Sequence, residues 1–260
     1  MATSYDPRYF DLLARVEDRH FWFRARNQAI GRVVKKLTGS WSNGYRVLEV
    51  GCGNGNVLRC LESVCVGGAV LGMDLFEEAL RHARQRTGCA LVRGDVHYSP
   101  VRAGFELIGL FDVLEHLEDD REILADLHRL LPPNGTLLLT VPAHMSLWSY
   151  FDVAAHHRRR YTRTELSKKL KAAGFEVVYL TEFMAPLFPL VWIGRRLAKL
   201  LRKGPDDPET SHGLTAMDFT IMPVLNGMLT AILSLEARLI GRGWIIPIGT
   251  SLLAIARRVA

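Results

Sequence analysis

Two stretches of this chain carry residue types at spacings that could do chemistry. In VLEVGCGNGN, residues 47–56, Glu49 stands two residues before Gly51, and glycine recurs at 53 and 55. Glycines at a strand-to-helix turn let the backbone pass close beneath a ligand. The spacing is GxGxG, and Asn56 occupies the place where a dinucleotide-binding GxGxxG needs its third glycine. A carboxylate at the strand end suits a ligand with an ammonium group better than a pyrophosphate. The second stretch, HHRRRYT over residues 156–162, puts two histidines, three arginines and a tyrosine in a row. It admits three readings: a metal site, a grip on nucleic acid, or the rim of an active site.

Composition narrows the field. A chain of 260 residues, 48% hydrophobic and 23% charged, can bury a full core and reads as folded rather than disordered. Cys52, Cys60, Cys65 and Cys89 form no CxxC pair and no zinc-finger spacing, so a reduced, cytoplasmic protein is expected. The polar, charged opening MATSYDPRYFDLLARVEDRHFW predicts no signal peptide. Net charge is +6. From His156 to Lys203 there are twelve Lys or Arg against three Glu, so the excess is local and calls for a partner.

The elements that must position these residues follow from periodicity. Residues 5–37 carry apolar positions at helical spacing, interrupted by HFWF at 20–23, which predicts two helices with a joint there. From Tyr45 onward, strand and helix patterns alternate: VLEV, VLRCLESV, AVLGM, FEEALRHARQR, CALVR, FELIGLF, DREILADLHRLL, GTLLLTV, TELSKKLKAAG and FEVVYLTEF. Such alternation predicts βαβ units around a parallel sheet covered on both faces. Residues 184–243 break the rhythm with two longer helical segments around the loop KGPDDPETSHG, and WIIPIGTSLLAIARRV returns to strand.

Taken in order, these motifs resemble the class I S-adenosylmethionine-dependent methyltransferases, in the group with a type-11 methyltransferase domain. The resemblance runs from about Tyr45 to Phe183 and rests on VLEVGCGNGN, GMDLFEEAL, RGDV, FDVLEHLEDD and LLPPNGTLLLTVP. It implies S-adenosylmethionine as cofactor and S-adenosylhomocysteine as product. Glu49, Gly51, Cys52, Gly53 and Gly55 would form the methionine loop, and Asp74, with Leu75 beside it, would take the ribose hydroxyls. Asp95 and Val96 would meet the adenine, with Phe111 among the cofactor contacts. The segment HFWFRARN recurs in relatives, where it caps the cofactor; Arg26 is expected to pair with the methionine carboxylate, with Arg24 in reserve. Each position also has a plain structural reading: Asp74 as a helix N-cap, Asp95 as a turn residue, Glu115 and His116 as loop-orienting groups, the arginines as solvated charges.

The implied fold is α/β, Rossmann-like, a seven-stranded mostly parallel sheet with helices on both faces and an antiparallel last strand. The chain divides into an N-terminal helical cap (1–40), a cofactor-binding core (41–183), a helical insertion (184–243) and the last strand (244–260). HHRRRYT then leaves the carboxyl edge of the sheet, where ligands of open α/β sheets sit. Thr162 and Glu165 have capping-box spacing, so the run ends in a helix start. A metal site lacks persuasive further ligands beyond His144 and Asp152, and no metal is expected. For nucleic acid, the chain lacks an NPPY-type segment and any appended RNA-binding module. An acceptor-binding loop fits best, and relatives carry a similar HHRRYT, with glycine where this chain has Ala155. His144, His156, His157 and Tyr161 are the candidates for orienting or deprotonating an acceptor.

The insertion carries a second pattern. On a helical wheel, Arg195, Arg196, Lys199, Arg202 and Lys203 fall within about 120°, opposite Ile193, Leu197, Leu200 and Leu201. A basic stripe, an apolar stripe and Trp192 suit the interface of an anionic membrane, reached through residues 186–203; packing on the domain is the alternative. The 17-residue run FTIMPVLNGMLTAILSL falls short of the roughly 20 residues of a span. The expected function is methyl transfer to a small-molecule or lipid-like acceptor at the inner face of a membrane. RNA modification and a non-catalytic scaffold stand as alternatives.

Overall fold

The computed structural model describes residues 8–201 and 220–259. Short apolar runs bounded by turn residues form β1 (Arg46–Val50), β2 (Ala69–Asp74), β3 (Ala90–Arg93), β4 (Leu107–Phe111), β5 (Thr136–Pro142), β6 (Phe175–Phe183) and β7 (Ser251–Arg258). They pair in the order β3-β2-β1-β4-β5-β7-β6. The first five are parallel to one another, and β7 runs antiparallel between β5 and β6. The strand order turns around between β1 and β4, so a crevice opens at their carboxyl ends.

Helices cover both faces: α1 (Arg8–Val16), α2 (Phe21–Thr38), α3 (Asn56–Val64), α4 (Glu77–Ala83), α5 (Asp120–Leu130), α6 (Tyr150–Ala154), α7 (Arg163–Ala172), α8 (Leu187–Leu201) and α9 (Pro223–Gly241). Side chains alternate across each strand, which splits the core in two. Leu48, Ile108, Leu137 and Leu139 pack with Ile123 and Leu127 of α5 and Leu166 and Leu170 of α7. Val47, Leu107, Leu138 and Leu253 pack with Ile30 and Val34 of α2, Leu61 of α3 and Leu233 and Ala237 of α9.

Several local expectations shift. The helix joint lies at 17–20 rather than within HFWF: His20 caps α2, its ring accepting from Trp22 N at 3.3 Å. The last strand starts at Ser251, because the backbone of 244–250 is committed elsewhere. Gly249 N donates to Glu182 Oε2 at 2.7 Å, and a Cβ on Gly249 would sit 2.2 Å from the Phe183 carbonyl. Residues 1–7 of the expected cap, 202–219 of the expected insertion and Ala260 lie outside the described residues.

α9 is apolar on two sides. Leu233, Ala237 and Ile240 are buried, while Val224, Met228, Ile232 and Leu235 are exposed on the opposite arc. It is the one helix among the described residues long and apolar enough to cross a membrane by length and composition, which the sequence pattern, broken by Pro223 and Asn226, did not predict. Only 28% of its most apolar window is buried.

Candidate functional site

A cavity of about 710 Å³ opens at the crevice between β1 and β4. β1 delivers Glu49 and then the glycine turn. Gly51 has φ +70, and a Cβ there would strike Val113 at 2.5 Å. Gly53 has φ +51 and nothing within 4 Å of a Cβ position. Gly51 thus needs to be glycine for packing, and Gly53 holds the floor of the cavity open. Gly55, expected with them, does not line the cavity: a Cβ would press on Ala83 at 3.1 Å, so it serves the close approach to α4.

Carboxylates ring this half of the cavity. Glu49 is buried, its Oε2 has no hydrogen-bond partner, and burial pushes its pKa well above the usual carboxylate range; Arg26 opposes that, while Asp74 and Glu17 add to it. Asp74, at the end of β2, accepts from Gly53 N at 2.8 Å and Phe76 N at 2.9 Å; burial also raises its pKa. Leu75, Asp95, Val96, Cys52 and Phe111 line the same wall. Arg26 enters from α2, donates to Asp112 Oδ2 at 2.8 Å and lies over the rings of Trp22 and Phe23. Arg24 is exposed on the outside of the same helix and does not reach the cavity. The N-terminal helices are fastened down by Asn54 Nδ2, which donates to Phe10 O at 2.8 Å, and by Arg86, which pairs with Glu17.

The chain after β5 forms the far wall. It leaves at Ala143, returns at Tyr161 and is stapled where it does so: Tyr161 N donates to Pro142 O and His144 N to Tyr161 O, both at 2.9 Å. The three arginines are spent on this loop. Arg158 Nε donates to His116 O at 3.2 Å, Arg159 Nη2 to Glu118 O at 2.7 Å, and Arg160 Nε to Asp152 Oδ1 at 2.7 Å. The first two lock the loop to the turn at 114–118, the third ties the loop to itself and to Ala143 O at 3.0 Å, and they are not arrayed as a phosphate grip.

Of the four acceptor-side candidates, only His157 lines the cavity. Tyr161 is fully buried in the core and donates to Asp120 Oδ2 at 2.9 Å; Asp120 in turn holds Lys169. Burial and the neighbouring Asp120 charge raise its pKa, so it is a structural anchor. His144 turns away to Glu182 Oε2 at 2.7 Å and stacks edge-on against Phe188. His156 is exposed at φ 56, so the left-handed residue of the loop lies one position after Ala155. Thr162 does cap α7, accepting from Glu165 N at 3.2 Å.

Glu115, His116, Arg160 and Arg195, not among the predicted site residues, also line the cavity. Glu115 is buried with both carboxylate oxygens lacking a hydrogen-bond partner; burial lifts its pKa well above the usual range, and Asp112 adds to it. Burial holds the His116 imidazole well below its ordinary pKa, so it is neutral. Asp152 is pulled down to about 2: burial opposes this, but hydrogen bonds from His157 and Arg160 outweigh it. Only the LEH motif could have pointed to Glu115 and His116. Arg195, read from sequence as part of a basic stripe, instead faces inward to Asp152 at 3.8 Å, while Arg196 lies over Trp192. Lys199, Arg202 and Lys203 of that stripe lie outside the described side chains.

Comparison with known proteins gives a consistent picture. A family model described as a methyltransferase domain matches residues 17–180. A protein of Mycolicibacterium smegmatis, named a probable S-adenosylmethionine-dependent methyltransferase, is 29% identical over 164 residues, covering 62% of this chain and 61% of its own length. A Mycobacterium tuberculosis protein of the same description is 27% identical over 212 residues, 80% of this chain and 69% of that one. Among solved structures, the chain in complex with the Haloferax volcanii Trm112 methyltransferase activator superposes with TM-score 0.62 at 19% identity, over 96% of this chain and 98% of that one. Haemonchus contortus phosphoethanolamine N-methyltransferase 2, bound to S-adenosyl-L-methionine, gives TM-score 0.55 at 19% identity, over 89% of this chain and 52% of that one.

Proposed function

We infer that this chain, which belongs to the class I S-adenosylmethionine-dependent methyltransferases through its methyltransferase domain, moves a methyl group from that cofactor to an apolar or lipid-like acceptor at a membrane surface. The same reading divides the chain into a helical cap, a cofactor-binding core, an acceptor-side insertion and the closing strand.

The residues present suit the cofactor. Glu49, a buried carboxylate with an unsatisfied oxygen, offers an ammonium group its counter-charge. Arg26 would offer a guanidinium to the methionine carboxylate, Asp74 would accept from ribose hydroxyls, and Asp95 and Val96, on the same cavity wall, would hold the base. Bound S-adenosylmethionine supplies a methyl group already activated on a sulfonium. The chain's own contribution is therefore alignment and exclusion of water: Trp22 and Phe23 close one side, and Leu187 and Val191 of α8 the other. His157, held by Asp152 and lining the cavity, would orient an acceptor's hydroxyl or amine.

The observation that carries the acceptor reading is the double duty of α8. Leu187, Val191 and Arg195 line the cavity, while Leu190, Ile193 and Leu197 on its other side are exposed. Thirteen of the nineteen exposed large hydrophobics among the described residues fall between Leu190 and Ile248, which is more than scattered surface apolarity. Trp192 and Trp244, both among them, are residues that favour a membrane interface.

The test is incubation of the protein with methyl-labelled S-adenosylmethionine and total cell extract, followed by separation into organic, aqueous and macromolecular fractions. Label in the organic phase, together with flotation on anionic liposomes, is expected. Aqueous label without flotation would return α8 to a lid over a soluble substrate. Ribonuclease-sensitive label would move the function to RNA.

A further inference from the structure

We propose that Glu115, His116 and His157 bind one divalent transition-metal ion in the acceptor half of the cavity. Their ligand atoms lie within 4.8 Å of one another. Atoms held by one zinc at about 2.1 Å are roughly 3.4 Å apart, so side-chain rotations of about an ångström close the site.

Two features make this more than a chance cluster. The first is Glu115, which is 1% exposed and has neither oxygen in a hydrogen bond. A buried carboxylate without a partner is costly, and a cation placed on it removes the cost. The second is the support behind His157. Its Nδ1 lies 2.9 Å from Asp152 Oδ1, which fixes Nδ1 as the donor and leaves the Nε2 lone pair facing Glu115 Oε1 at 3.9 Å. Asp152 is itself pinned by Arg160 Nε at 2.7 Å and Ser149 N at 2.9 Å. A carboxylate behind a histidine is the arrangement that orients metal-ligating imidazoles. The main chain holds the halves together, Arg158 N donating to Glu115 O at 2.9 Å.

Two imidazoles and one carboxylate suit zinc, cobalt or divalent iron, whereas magnesium and calcium prefer all-oxygen shells. Three protein ligands leave positions facing the cavity, where a donor atom of the acceptor completes the shell. That last role rests on the methyl-transfer reading; the binding of the ion does not.

The probe is Zn²⁺ titrated calorimetrically into chelator-treated full-length protein free of any affinity tag, with Co²⁺ as the visible-absorption counterpart. One saturating equivalent and ligand-field bands are expected. Glu115→Gln and His157→Asn should each weaken binding by at least about tenfold. His156→Asn, at an exposed neighbour whose left-handed backbone Asn tolerates, should leave it unchanged. S-adenosylhomocysteine binding, measured on the same samples, is expected to be retained and shows that the variants are folded. No saturable uptake, or uptake unaffected by both ligand variants, overturns the site. Metal uptake in a protein that fails to bind S-adenosylhomocysteine would sink the methyl-transfer reading and leave the site standing.

Discussion

The guanidinium of Arg26, on α2, lies 2.8 Å from the carboxylate of Asp112, the residue after β4. This pair joins the N-terminal cap to the switch point of the sheet. Asp112 holds φ 54, a left-handed conformation that Asp tolerates better than most residues. Asn56 Oδ1 lies 3.4 Å from Nη2 of the same guanidinium, which therefore has a fixed orientation before any ligand arrives.

Arg26→Lys keeps the charge and loses the planar fork. We expect cofactor affinity to fall about tenfold, roughly 1.4 kcal/mol, measured by calorimetry with S-adenosylhomocysteine. Arg24→Lys, on the outer face, should leave it unchanged. Equal effects at both positions would contradict the assignment.

Cofactor binding should depend on pH through Glu49, whose pKa burial raises well above the usual range. A ligand ammonium favours the ionised carboxylate, so affinity rises with pH through the raised pKa, levels off above it, and proton release accompanies binding below it. In Glu49→Gln the affinity should be lower and this segment of the pH profile flat. A wild-type profile already flat would show that Glu49 does not face the cofactor's charge.

The glycine turn separates folding from binding. Gly55→Ala forces a Cβ against Ala83 at a residue with φ +78, and should lower stability by about 1–3 kcal/mol in chemical denaturation. Gly53→Ala meets no protein atom within 4 Å, so its main effect should be on cofactor affinity, with about 1 kcal/mol lost from the left-handed backbone.

Tyr161→Phe removes only the hydroxyl that donates to Asp120. Loss of one buried, charge-assisted hydrogen bond predicts about 1–3 kcal/mol lower stability with kcat preserved. A large fall in kcat in a fully folded variant would restore Tyr161 to the reaction.

The sequence by itself determined the architecture and brought the ends of β1 and β2 and the glycine turn to one cavity. Period-two and helical patterns specify which face of each element is apolar, and a parallel sheet then follows from local chain geometry. Glu49, Gly51 and Gly53 were legible because one strand and its following turn place them within a few residues of one another, and Asp74 because it ends the next strand, which pairs with the first. The acceptor half was not legible in this way. In HHRRRYT, adjacent residues point in different directions, and which one meets the cavity depends on a bridge between Ala143 and Tyr161 and on arginines bound to carbonyls some forty residues earlier. Only tertiary structure buried Tyr161, turned His144 to Glu182, and set His157 beside Glu115 and His116 from a different strand end. Local periodicity encodes which face of an element is buried; long-range hydrogen bonding decides which side chains meet.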